Sequence, residues 1–222
     1  MRLFVAVVPP ETVVTELAEA LREARAGQEE RAVRDSRLRW SPEAGWHLTL
    51  AFLGEVRDEV LPELRARLAR AALETAPFAL RLHGCGHFGG RALWAGVAGD
   101  LDGLRILAER ADAAARRAGV PMEQPRRYTP HLTLARSRDS NRAEAWSGEE
   151  PGAGTSSEAG AGASTEAKAG TEAGTSAALR PYLEALAGFE GSAWPAAEIR
   201  LVHSHIGGEP RYETLVAWPL GG

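Results

Sequence analysis

His47-Leu48-Thr49-Leu50, set in WHLTLAFLGEV (46–56), returns unchanged as His131-Leu132-Thr133-Leu134 in TPHLTLAR (129–136), the two starts lying 84 residues apart (131 minus 47). In an extended strand successive side chains point to opposite faces. Each copy therefore sets an imidazole and a hydroxyl on one face, about 6 to 7 Å apart at Cα, and two leucines on the other. The leucines are expected to anchor the strand in a core, and the His/Thr face is wide enough to span one phosphate. Each copy follows a turn-like segment, 42–45 or 125–130. A pseudo-twofold pairing of two halves can thus bring both polar faces to one site.

Outward from these strands the chain alternates strand and helix patterns. Arg2 to Val8 is rich in β-branched and aromatic residues and stops at Pro9-Pro10, as a buried strand entering a turn does. Val13, Val14, Leu17 and Leu21 recur at helical spacing, with Gly27 as a stop, and the charged stretch through Arg39 is expected to be an exposed connection. After 46–53, Val60, Leu61, Leu64 and Leu68 form a second helical stripe. Phe78 to Gly86 and Arg91 to Val97 are expected to be a hairpin turning at Gly89-Gly90, and Asp100 caps a helix carrying Leu101, Leu104 and Leu107, ended by Gly119-Val120-Pro121. His131 to Ser137 and two late strands, Ile199 to Ile206 and Tyr212 to Trp218, complete a mixed α+β domain with several antiparallel pairings.

From Asp139 to Ala178 the large apolar residues reduce to Trp146, and Gly, Ala, Ser, Thr and Glu fill the remainder. Recurrent glycines each cost about 1 kcal/mol of helix propensity, and no apolar stripe exists to dock the segment. Residues 139–178 are expected to be a disordered insertion within a single 1–222 domain, tolerated because loop-closure cost grows only logarithmically with length.

The 222 residues, 44% hydrophobic and 25% charged, suffice for one real core or two intimately packed lobes and not for a multidomain machine. With 26 basic against 30 acidic residues, the net charge of −4 excludes a general polyanion or membrane-surface binder, so any polyanion must meet a local basic pocket. The single cysteine, Cys85, excludes an internal disulfide framework. No apolar run approaches the roughly 20 residues of a membrane span, and the first ten residues lack a signal peptide's apolar region and cleavage site. A soluble, cytoplasmic protein is expected.

Paired imidazoles suit phosphodiester chemistry. Near neutral pH one can accept a proton from water while the other, protonated, gives one to a departing oxygen. Threonine hydroxyls can donate to the non-bridging oxygens, where transition-state charge concentrates. The two motifs, with RLFVAVVPP at the start and RYETLVAWPL at the end, resemble those of the 2H phosphoesterase superfamily and its bacterial RNA 2′,3′-cyclic phosphodiesterases, also called 2′-5′ RNA ligases. The resemblance implies two pseudo-symmetric αβ lobes with antiparallel sheets around a central cleft. It implies metal-independent hydrolysis of a 2′,3′-cyclic phosphate on RNA or a nucleoside to a 2′-phosphomonoester, with no cofactor. It assigns His47 as proton donor to the 3′ oxygen and His131 as proton acceptor from water, with Thr49 and Thr133 at the phosphate. Arg136 matches the family's basic residue after the second motif, where a guanidinium can clamp phosphate bidentately. The partners implied are RNA ends or nucleotides bearing the cyclic phosphate, met by a monomer without a membrane. The alternatives are 2′-5′ ligation, another cyclic phosphate such as one on ADP-ribose, or RNA-end binding without turnover.

Tyr128, three residues before His131, is the expected base-stacking residue of the cleft; Phe88 and Tyr212 are further candidates, and Trp94 is expected to pack. Arg126, Arg127, Arg138 and Arg211 can add local positive field. His83-x-Cys85-x-His87 and His203-x-His205 raise the possibility of a metal, but neither has the ligand set of a structural zinc site, so none is expected. Gly89-Gly90 and Gly207-Gly208 fit hairpin turns better than phosphate loops.

Overall fold

A computed structural model of the chain describes residues 1–26, 38–123, 128–137, 178–205 and 211–221. The strands are β1 (Arg2–Val7), β2 (Leu38–Trp40), β3 (Leu48–Glu55), β4 (Phe78–Phe88), β5 (Ala92–Gly99), β6 (Leu132–Ser137), β7 (Trp194–Ala196), β8 (Glu198–His205) and β9 (Arg211–Pro219). The helices are α1 (Glu11–Ala26), α2 (Leu61–Leu73), α3 (Leu101–Arg117) and α4 (Arg180–Leu186). The elements expected from periodicity are present with ends shifted by a few residues. The Asp100 carboxylate accepts from the Gly103 N–H at 2.7 Å and caps α3. Gly89 and Gly90, with φ of 52° and 69°, make the tight turn between β4 and β5.

Among the described residues all the strand pairs are antiparallel, in the order β7-β4-β5-β6-β3-β1-β8-β9, with β2 on β6 as well. Two halves, β7-β4-β5-β6 and β3-β1-β8-β9, join among the described residues through a single residue pair, Leu48 opposite Leu132. The strands that carry the two repeats are therefore neighbours at the centre. Beyond that pair they diverge, which opens the surface between the halves.

The helices interlock the halves. α3 follows β5 but packs on β3 and α2, while α1 follows β1 but packs on α4, which in turn contacts β4. Leu48, Leu50, Leu132 and Leu134, none more than 5% exposed, all point into the main core with Leu64, Leu68, Leu104 and Leu107. Burial of each leucine contributes about 1.5–3 kcal/mol, which holds the polar faces of β3 and β6 where solvation alone would not.

Two expectations need correction. The charged stretch through Arg39 is not wholly a connection: Leu38 is buried, and β2 pairs with β6 at Leu38–Ser137, Arg39–Arg136 and Trp40–Ala135. Leu38, alone among charges, is a short apolar signal that pattern reading passes over. The insertion expected at 139–178 lies outside the described residues except Ala178, which is 6% exposed and belongs to the core. α4 and β7, not anticipated, are too short for periodicity to reveal.

Candidate active site

Strict alternation puts Arg136 on the leucine face of β6, away from His131 and Thr133. The structure reverses this. Thr133 pairs with Trp94 and Ala135 with Leu93, so one extra residue of β6, Leu134, is accommodated between consecutive β5 residues. The bulge buries Leu134 and Ala135 together and returns Arg136 to the polar face. β3 does the same at the same place. Thr49 pairs with Ala6 and Ala51 with Val5, Leu50 and Ala51 are buried in succession, and Phe52 emerges, 41% exposed. Phe52 and Arg136 are thus equivalent positions of the repeat, both aimed toward the opening by a bulge.

Antiparallel pairing at Leu48–Leu132 puts the residues that precede each, His47 and His131, on opposite flanks of that pair. The histidines stand on a diagonal of this pair, a separation of roughly 7–8 Å between Cα atoms, which leaves room for a phosphoryl group between the rings. His47 Nδ1 lies 2.6 Å from the Gly45 carbonyl oxygen, and His131 Nδ1 lies 2.8 Å from that of Thr129. A carbonyl only accepts, so each Nδ1 carries the proton, and each neutral ring keeps Nε2 as its basic atom. The sequence repeat thus extends to ring orientation and tautomer.

Aromatic rings surround both imidazoles. Phe4 stacks on His47 with centroids 4.5 Å apart, and Tyr212 meets it edge-on at 5.2 Å. Phe4, Ala6 and Val202 form a small apolar cluster of their own beneath this ring. On the other side Phe88 meets His131 edge-on at 4.7 Å, with Trp94 at 6.4 Å. Trp94 lies flat over Gly86, where a Cβ would fall 2.2 Å from the indole, so glycine is required there. Burial pushes the His47 pKa down to about 4; the Gly45 hydrogen bond opposes this, while the charges of His131 and Arg136 add to it. Burial also raises the Tyr212 pKa, against the fields of Arg136 and Arg39. Arg136 thus acts on both His47 and Tyr212, and Arg39 on Tyr212. Arg39 and Arg136 are direct cross-strand partners, so their side chains share a face.

Tyr128 is placed differently from the expectation. Its ring packs against the main core, and its hydroxyl donates to the Thr49 carbonyl at 3.1 Å. It therefore braces the approach to the second motif against the first, and burial raises its pKa. Trp94, expected only to pack, lies beside His131. Arg211 falls, by alternation, on the face away from Tyr212, and Arg126, Arg127, Arg138 and Gly207-Gly208 lie outside the described residues. Among the described residues His83, Cys85 and His87 form no ligand group: the His83 backbone makes an isolated antiparallel β-bridge with Glu190, the Cys85 thiol donates to the Leu183 carbonyl with its pKa pushed up to about 11 by burial, and His87 Nδ1 accepts from the Gly90 N–H. Sequence reading missed Phe4, Phe52 and Arg39. The equivalence of Phe52 with Arg136 was the available signal, since each stands three residues after a motif threonine.

Residues 5–148 match the sequence profile of the 2′-5′ RNA ligase superfamily. An RNA 2′,3′-cyclic phosphodiesterase of Geobacillus stearothermophilus is 29% identical over 82% of this chain, and this chain spans about half of that relative, 48%. An enzyme of the same name from Thermus thermophilus is 36% identical over 62% of this chain and 69% of its own. Among solved structures, a Thermus thermophilus protein superposes over 100% of this chain and 99% of its own with a TM-score of 0.63 at 27% identity. Escherichia coli LigT complexed with 3′-AMP shares the fold, with a TM-score of 0.63 at 24% identity over 100% of this chain and 98% of its own.

Proposed function

The chain belongs to the 2′-5′ RNA ligase superfamily, and from that premise we propose that it hydrolyses terminal 2′,3′-cyclic phosphates of RNA, or of nucleotides, to 2′-phosphomonoesters. The observation that carries this reading is the matched pair of imidazoles on adjoining strands, each with Nδ1 held by the carbonyl two residues earlier. The activity named for the curated relatives supports the substrate class.

His131 Nε2 takes a proton from water as its oxygen bonds to phosphorus. The P–O3′ bond breaks, and the departing 3′ oxygen takes a proton from His47 Nε2, leaving the phosphate on the 2′ oxygen. The two imidazoles close the proton balance between them. Thr49 and Thr133 donate to the non-bridging oxygens, and Arg136 neutralises the charge that grows there. Before substrate binds, His47 is neutral at pH 7, because burial disfavours its cation. An anionic phosphate replaces the missing solvation and raises its pKa, so the donor is charged only when substrate is bound. Phe88 and Trp94 offer ring faces beside His131 for a base, and Tyr128 positions the motifs.

The test is turnover of a 2′,3′-cyclic mononucleotide by the pure protein in the presence of chelator, with identification of the product isomer. His47→Ala and His131→Ala are each expected to lower kcat by about 10²-fold or more, the usual weight of a positioned acid or base. Turnover undiminished in both variants, or none by the wild type, would overturn the reading.

A further inference from the structure

Of the six histidines, His47 and His131 serve the chemistry above, while His203 and His205 stand apart from it. His203 and His205 lie two residues apart on β8, so both rings leave the same face of the sheet. Their ring centroids are 4.0 Å apart. The register supplies a further ligand that sequence spacing hides: Glu213 on β9 is the cross-strand partner of His203, and its Oε2 lies 3.1 Å from His205 Nε2. One ligand atom from each of the three lies within 4.8 Å of the others.

We propose that His203, His205 and Glu213 bind a divalent transition metal of the zinc class, at a site separate from the catalytic cleft. Imidazole with carboxylate is a donor set for zinc, copper or nickel rather than for magnesium or calcium. Metal–nitrogen and metal–oxygen bonds of about 2.0–2.2 Å require ligand atoms roughly 3.3–3.5 Å apart in a tetrahedron, so small side-chain rotations close the set, and water completes the fourth position. His205 and Glu213 are exposed and His203 half-buried, which leaves an entry path. Arg211, opposite His205, is also exposed, and its long stem lets the charge stay in water. The site lies on the opposite face from the cleft: His203 pairs with Leu3, whose side chain enters the main core, while the adjacent Val202 and Tyr212 face Phe4 and His47. A metal here ties the start of β9 to β8 one residue from Tyr212 and reacts with no substrate.

The experiment is calorimetric titration of Zn2+ into the untagged, chelator-stripped full chain. One equivalent is expected, with affinity at least tenfold weaker in His205→Ala and in Glu213→Gln, both surface changes whose folding is checked by circular dichroism and whose turnover stays at the wild-type level. The variant carrying both His47→Ala and His131→Ala should still bind one equivalent. Absence of stoichiometric binding, affinity unchanged in His205→Ala and Glu213→Gln, or binding lost with the cleft histidines would each overturn the proposal, whatever the outcome for cyclic phosphates.

Discussion

Phe4 against one side of the His47 ring and Tyr212 against another give that imidazole its depressed pKa, and the same contacts decide its effect on stability. The folded pKa, about 4, lies below the unfolded value near 6.5, so the native state binds a proton less readily than the unfolded chain. The stability contribution is therefore fully present above pH 6.5 and is lost as pH falls from there toward 4. Urea unfolding between pH 7 and 4 should show the wild type losing stability over that window, and His47→Gln losing less. Equal slopes for the two proteins would mean that His47 is not held neutral by its surroundings. Phosphate at saturating concentration should lessen the wild-type loss, because an anion in the cleft favours the charged ring.

The bulges after Thr49 and Thr133 are the devices that shape the cleft at the level of strands. Without the one in β6, Arg136 would point among the leucines, where a guanidinium has no solvation. With it, Arg136 sits beside Arg39 of β2, its cross-strand partner, so two guanidinium groups share the polar face. Arg39 is the more exposed of the two. If the proposed function holds, Arg39 is the candidate for the phosphate upstream of a cyclic end, which a mononucleotide lacks. Arg39→Ala should raise KM for a cyclic-phosphate-ended oligonucleotide by about fivefold, the weight of one charge-assisted contact, and change KM for the mononucleotide by less than twofold. Equal changes for both substrates would place Arg39 at the reacting phosphate instead.

At the scale of the molecule, two half-sheets meeting at one residue pair would be a weak junction without the exchanged helices. α3, which follows β5, packs on β3 of the other half; α1, which follows β1, packs on α4, which contacts β4; and the Glu16 carboxylate of α1 accepts from the backbone N–H and hydroxyl of Ser192 before β7, at 2.7 and 2.6 Å. The halves are thereby held at a constant distance, which a pair of acid and base groups needs. The stretch 139–177 begins just after β6 ends at Ser137 and stops at buried Ala178, and its composition offers no apolar face to this arrangement. Its replacement by a Gly/Ser linker of about 15 residues should leave Tm within about 2 °C and kcat within twofold, since loop closure depends only logarithmically on length. A larger loss would show that the segment packs on the cleft or on a partner.

The two motifs, their leucine anchors, the helical stripes and the candidacy of His47, Thr49, His131 and Thr133 were legible in the amino-acid order, because local periodicity and an exact repeat are properties of the chain itself. So was Arg136 as a candidate, though only through resemblance, since alternation sends it to the wrong face. The bulges, the pairing of Arg39 with Arg136, the stacking of Phe4 on His47, the bracing bond of Tyr128 and the addition of Glu213 to His203 and His205 were not legible. Each depends on the register between strands distant in sequence, and register is decided by which side chains fill the shared core, a balance that emerges only when the chain closes on itself.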